Sequence, residues 1–164
     1  MKTRRILLTA GLLTLSSLAL AHGGAKHAPA KSAAVEKAQQ PWGIAGEADD
    51  ATRTIGVEMT DAMRFTPDRI EVRQGDTIRF RHHNSGAVMH EFVIGTREAL
   101  DEHAALMAKF PDMEHDEPWM AHVAPDANGE IVWTFNRPGT FQFACLIPGH
   151  YQAGMVGTIE VAAR

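Results

Sequence analysis

The sequence predicts an all-β protein, an antiparallel Greek-key β-sandwich interrupted by one helical insertion. Three observations carry this. From Arg53 onward the chain runs in short stretches where apolar and polar residues alternate, the period of a strand with one buried face. Turn residues separate these stretches at spacings too short for helical crossovers, a texture of packed antiparallel sheets. Only one stretch, "TREALDEHAALMAKF", carries apolar residues at helical spacing.

The elements follow in chain order. "MKTRRILLTAGLLTLSSLALAHG" has a basic head (Lys2, Arg4, Arg5), an apolar run from Ile6 to about Leu20, and the small residues Ala19 and Ala21. That is the make-up of a secretory signal over residues 1–21, cleaved before His22. The run is short for a membrane span, and no cysteine stands at the cleavage point to carry a lipid, so no membrane insertion is expected after cleavage. Residues 22–52, rich in Ala, Lys and Gln without a sustained apolar face, read as a flexible tether. The domain is expected over 53–164. Within it "RIEVRQGDTIRFRHHN" puts Ile70 and Val72 on one face, turns at Gln74 to Asp76, and then puts Ile78 and Phe80 on one face with Arg79 and Arg81 on the other. "MHEFVIG" aligns His90, Phe92 and Ile94. A helix capped by Thr96 opens an insertion of about 96–128, too long for an ordinary connection between sandwich strands. "EIVWTFNRPGTFQFAC" gives two strands around a turn at Asn136 to Gly139, with Phe141, Phe143 and Cys145 sharing a parity. The last strand aligns Met155 with Ile159 and Val161.

Charge excludes some functions. Of 16 Lys and Arg, three lie in the signal, so the mature chain carries 13 against 20 Asp and Glu, a formal net charge of about −7. Binding to nucleic acid or to an anionic membrane surface is disfavoured.

The chemistry centres on the chain's single cysteine. A lone thiol in an oxidising compartment cannot form an internal disulfide and is exposed to oxidation unless it is buried or bound. In "FACLIPGHYQAGM", Cys145 is followed by His150 and then by Met155 at equal spacing. His90 and Cys145 fall on inward faces at strand ends, and Met155 opens the final strand in the same inward register. If the strands of His90 and Cys145 are neighbours, one thiolate, two imidazoles and one thioether converge at one end of the sandwich. Soft sulfur donors with imidazole suit copper, and a His2Cys set with a weak axial Met is the electron-transfer arrangement of mononuclear copper. Zinc more often takes a closed Cys/His set without Met. Such a site holds metal or moves electrons, and no second convergent acid or base suggests an enzyme.

"FACLIPGHYQAGM" resembles the copper-binding loop of the cupredoxins, the type 1 copper proteins. "FTPDRIEVRQGDTIRFRHHN" followed by "HEFVIG" is similar to the half of that family that supplies the first histidine. The resemblance runs from about Val57 to Val161 and implies His90, Cys145, His150 and Met155 as ligands of one type 1 copper, blue or green, in a periplasmic protein. One residue departs from it. Many family members place Asn or Ser after the first histidine, where its side chain ties the two ligand loops together; here Glu91 stands there. Its parity points outward, so the tie is expected to be missing or to come from another group such as Asn84.

The insertion adds His103, Met107, Met113, His115, Met120 and His122. One reading makes Met107 a core residue of the helix and the histidines surface groups. The other makes them a softer Cu(I) site or a docking face for a copper donor. His22 and His27 in the tether are further candidates for chelating copper, although an unstructured tail that happens to contain histidines is the plainer account. His82 and His83 are candidates for spare ligands; His82 shares the inward parity of Ile78 and Phe80, and a hydrogen-bonded histidine at a strand end is the plainer account. Insertions of this kind resemble those of the periplasmic cupredoxins of bacterial copper tolerance. Copper tolerance is therefore the expected role, with a copper donor, acceptor or redox protein as partner. The alternative is a small soluble electron-transfer protein docking through Ile147, Pro148, Tyr151 and Ala153 around His150.

Overall fold

The computed structural model describes residues 37–111, 113 and 115–164. The expected signal over 1–21, the first part of the tether, His22 and His27 lie outside the described residues. No helix among the described residues is long and apolar enough to cross a membrane.

Among the described residues, ten strands and one α-helix follow in order, with a single 3-10 turn at Ala48–Asp50. They are β1 (Ile44–Ala45), β2 (Arg53–Thr60), β3 (Arg64–Thr66), β4 (Arg69–Arg73), β5 (Thr77–Asn84), β6 (His90–Gly95), α1 (Arg97–Lys109), β7 (Met120–Val123), β8 (Asn128–Thr134), β9 (Gly139–Ala144) and β10 (Val156–Ala162). They form two five-stranded sheets, ordered β1-β8-β5-β2-β3 and β4-β10-β9-β6-β7. The inward residues of both sheets make one core: Ile78, Phe80, Phe92, Ile94, Trp133, Phe143 and Ile159 are each fully buried. Aromatic edges lock it, with Phe92 and Phe143 stacked at 4.8 Å and Phe65 edge-on to both.

The all-β sandwich with one helix is as expected, but the sheets are mixed rather than purely antiparallel. β2 pairs with β5 and β4 with β10 in parallel. The turns at Gln74 to Asp76 and Asn136 to Gly139 each carry the chain from one sheet to the other, so the strands they join do not pair. Alternation reports which face is buried and is blind to which strand lies alongside.

The expected tether ends too late in the sequence. Trp42 and Ala45 are buried, β1 pairs with β8, and the Trp133 indole donates to the Trp42 carbonyl at 3.0 Å. The segment from about residue 39 thus closes one end of the sandwich. Its buried residues, Trp42 and Ala45, are too few to show a period.

The insertion is a helix followed by an edge strand. The Thr96 side chain accepts the Ala99 N–H at 3.2 Å, the capping role expected of it. Leu100, Ala104 and Met107, spaced to share one face, are buried against Val93, Ala144 and Leu146 on the outer side of the second sheet. β7 then pairs antiparallel with β6. α1 packs over the outer face of β6 and β7 covers its edge, and the six residues of β6 are all buried.

Candidate metal centre

β6 and β9 are neighbours in register, Val93 opposite Ala144, which brings the start of β6 to the end of β9. His90 opens β6, and Cys145 stands one residue past β9. The chain then turns through residues 147–154 and re-enters the sheet as β10. The His150 N–H donates to the Ile147 carbonyl, and the Met155 N–H to the His150 carbonyl. The Cys145 N–H donates to the Met155 carbonyl at 3.1 Å, so the loop is closed on itself. Gly149 (φ +94°) and Gly154 (φ +91°) hold left-handed conformations that side chains disfavour, and they let this short loop reverse twice. Two further bonds anchor it: Arg64 donates to the Ala153 carbonyl at 2.9 Å and the Tyr151 hydroxyl to Asp101 of α1 at 2.7 Å.

One potential ligand atom from each of His90, Cys145 and His150 falls within 4.8 Å of the others. His150 Nδ1 lies 3.3 Å from Cys145 Sγ, and the two imidazole rings are 5.0 Å apart. His90, Cys145 and Met155 are completely buried, while His150 is half-buried at the surface. His90 Nε2 faces the Asp61 carboxylate at 3.3 Å, and His90 Nδ1 is buried with no hydrogen-bond partner. A carboxylate accepts, so the ring proton sits on Nε2 and an unshared pair remains on the orphaned Nδ1. A buried polar atom without a partner is costly, and a metal ion satisfies it.

Electrostatics agree. Burial pushes the Cys145 thiol up to about 12, outweighing the N–H bond from Glu91 to its sulfur. A thiolate is therefore stable there only against a positive ion. Burial, then the neighbouring His90, hold His150 below the ordinary histidine range, which leaves it neutral and able to donate a pair. A thiolate, two neutral imidazoles and a buried methionine fit a copper ion.

Two supporting residues differ from expectation. Glu91 is not exposed: its parity does point it to the outer face, but α1 over that face and β7 at its edge leave it 3 % accessible. Its N–H meets Cys145 Sγ at 3.3 Å, and its carboxylate accepts the Leu146 N–H at 3.2 Å. Glu91 itself thus ties the two ligand segments. Asn84 instead donates to the carbonyls of Val88 and Val123 and accepts the Gly86 N–H, fixing the loop that enters β6. Asp61 escaped sequence reasoning altogether. It accepts the Ala87 N–H at 2.7 Å, and that bond leads those holding its carboxyl below the usual range.

Among the secondary candidates, Met107 and Met120 are buried packing residues, and Met113 packs partly against them. His103, His115 and His122 come together on the insertion. Burial, then His115 and His122, lower the pKa of His103. His82 is buried between Phe80 and Phe92 with both ring nitrogens unpartnered, rather than hydrogen-bonded as expected, while His83 contacts Asn128 at 3.2 Å.

Residues 51–162 match the family described as copper binding proteins, plastocyanin/azurin family. The chain belongs to that family. This cupredoxin is 46% identical to the copper-resistant cuproprotein CopI of Rubrivivax gelatinosus over 98% of this chain and 99% of that protein. It is 34% identical to the CopI of Pseudomonas aeruginosa, over 74% and 83% of the two chains. In fold it is similar to auracyanin B, with a TM-score of 0.62 at 22% identity over 76% of this chain and 99% of that one.

Proposed function

We propose that this cupredoxin is a periplasmic copper-tolerance protein that holds one copper at a mononuclear type 1 centre made by His90, Cys145, His150 and Met155. The observation that carries the reading is the buried convergence of His90, Cys145 and His150 with the unpartnered His90 Nδ1. The copper-resistance role rests on the likeness to the CopI proteins over nearly the whole chain. Bound copper would supply a one-electron couple. The protein holds its donors in place before the ion arrives, through Asp61 behind His90, Glu91 behind Cys145 and the closed loop that carries His150 and Met155. The donor set supports carriage or buffering of copper, with a copper donor, acceptor or redox protein as partner.

A second reading, electron transfer, has one observation in its favour. Val88 and Met89 are exposed apolar side chains just before His90, and Met89 lines one apolar rim with Ile147 and Pro148, in the loop that carries His150. Such a rim suits docking of a redox protein.

The test pairs spectroscopy with growth. The mature protein is expected to bind copper with intense thiolate-to-copper absorption, and Cys145→Ser to lose that absorption while remaining folded. Expression of the unaltered protein, but not of Cys145→Ser, should restore growth of a copper-sensitive bacterium in copper medium. Equal spectra would end the site assignment. Equal growth with different spectra would favour electron transfer.

A further inference from the structure

The insertion brings three imidazoles together beside the centre already described but outside it. His103 lies on α1, His115 in the following loop and His122 on β7. The Nε2 atoms of His103 and His115 are 2.8 Å apart, and the rings of His115 and His122 are 5.6 Å apart. Around a tetrahedral ion with bonds of about 2.0 Å, two nitrogens stand ~3.3 Å apart, so the first pair is close to bridging distance already.

Two of these rings have an acceptor behind them. His115 Nδ1 lies 2.9 Å from the Met113 carbonyl, which can only accept, so the ring proton is on Nδ1 and Nε2 accepts the His103 Nε2–H, a bond that a metal ion taking this pair would displace. His122 Nε2 lies 3.2 Å from the Glu91 carboxylate. An acceptor behind the ring is how proteins orient metal-ligating histidines and choose the ligating nitrogen. A simple surface hydrogen bond between two histidines would need neither the third ring nor the carboxylate behind it. Met113, only partly buried, borders the groove that His115 and His122 line, and a thioether there favours copper over harder cations.

We propose that His103, His115 and His122 form a second copper site, coupled through Glu91 to the His90–Cys145–His150 centre. Glu91 and His122 are direct cross-strand partners on β6 and β7. One carboxylate oxygen of Glu91 meets His122; the other accepts the Leu146 N–H, and the Glu91 N–H reaches the Cys145 sulfur. A cation on His122 therefore draws on the same carboxylate that holds the Leu146 N–H, next in the chain to Cys145. The inference does not depend on the copper-tolerance role.

The test is an anaerobic Cu(I) titration of the whole mature chain against a competing chelator. The unaltered protein should take up one equivalent more than the variant combining His103→Ala and His115→Ala. Cys145→Ser should keep that extra equivalent, which separates the site from the first centre. The tether histidines are present in every variant and cancel in the comparison. His115→Gln, a change in a loop with little bearing on folding, should weaken the extra equivalent at least tenfold. For the coupling, the first centre is loaded with Cu(II), and one equivalent of redox-inert Zn(II) is added. Its charge-transfer bands should shift in the unaltered protein and not in the double variant. Equal stoichiometry and affinity in the unaltered protein and the histidine variants overturns the site, as does an extra equivalent lost only with Cys145→Ser. Unshifted bands overturn the coupling.

Discussion

Copper uptake at Cys145 should release one proton across a wide pH range, and the burial of the thiol sets how wide. With its pKa pushed up to about 12, the metal-free cysteine is a thiol throughout the physiological range. Copper binds the thiolate, so at pH 7 the ion must displace a proton held about five pH units too tightly, which costs about 7 kcal/mol at about 1.36 kcal/mol per unit. Raising the pH lowers that cost, and affinity should rise tenfold per unit. His150, held below the ordinary histidine range, adds no competing proton above neutrality. The distinguishing feature is where the rise stops. A solvent-exposed thiol would level off near its ordinary pKa of about 8.5, whereas this one should keep its slope through pH 10. Cu(I) affinity measured by chelator competition from pH 6.5 to 10, with proton release followed in weak buffer, reads both quantities. A plateau near pH 8.5, or less than half a proton released at pH 7, would refute the argument that burial governs this site.

Three other predictions follow from neighbouring features. Met155→Leu should leave one copper bound and raise its reduction potential, since the axial sulfur is the weak donor of the set; voltammetry reads the shift, and loss of the copper would contradict that role. Glu91→Ala leaves the buried Leu146 N–H without an acceptor and should cost about 1–3 kcal/mol in urea unfolding of the metal-free protein, with Glu91→Gln, which keeps an acceptor, costing less. Burial lowers the His82 pKa to about 4, so between pH 6.5 and 4 the unfolded chain takes up a proton that the folded chain refuses, and stability falls with pH in that window by ~3 kcal/mol. His82→Leu should lose correspondingly less stability over the same window, and equal losses in the two metal-free proteins would assign the acid sensitivity elsewhere.

The proposed copper ligands were legible because a mononuclear site imposes both donor type and chain direction. Cys145, His150 and Met155 lie on one closed loop, so their spacing is in the sequence, and the parity of β6 placed His90. What was not legible depended on partners distant in the chain. Asp61 stands 29 residues before His90 and belongs to a turn with no pattern of its own. Glu91 was given the right direction and the wrong environment, because parity tells which way a side chain points and not what lies over it. The three histidines of the insertion share no periodicity. Only the pairing of β7 with β6 and the packing of α1 gather them, and both follow from tertiary contacts.

The parallel pairing of β4 with β10 has a consequence for the order of events in the cell. It joins Arg69 to Thr158 and Arg73 to Ala162, so β10, strung between β4 and β9, is an interior strand that follows every other described strand in the chain. Contacts this distant in the chain form late, after the cost of closing a long loop has been met. Met155 and the bond that closes the ligand loop immediately precede that strand. A chain in which β10 has not yet paired thus carries its cysteine and histidines without the enclosure that would select a metal for them, so docking of that strand comes before acquisition of the proposed ion.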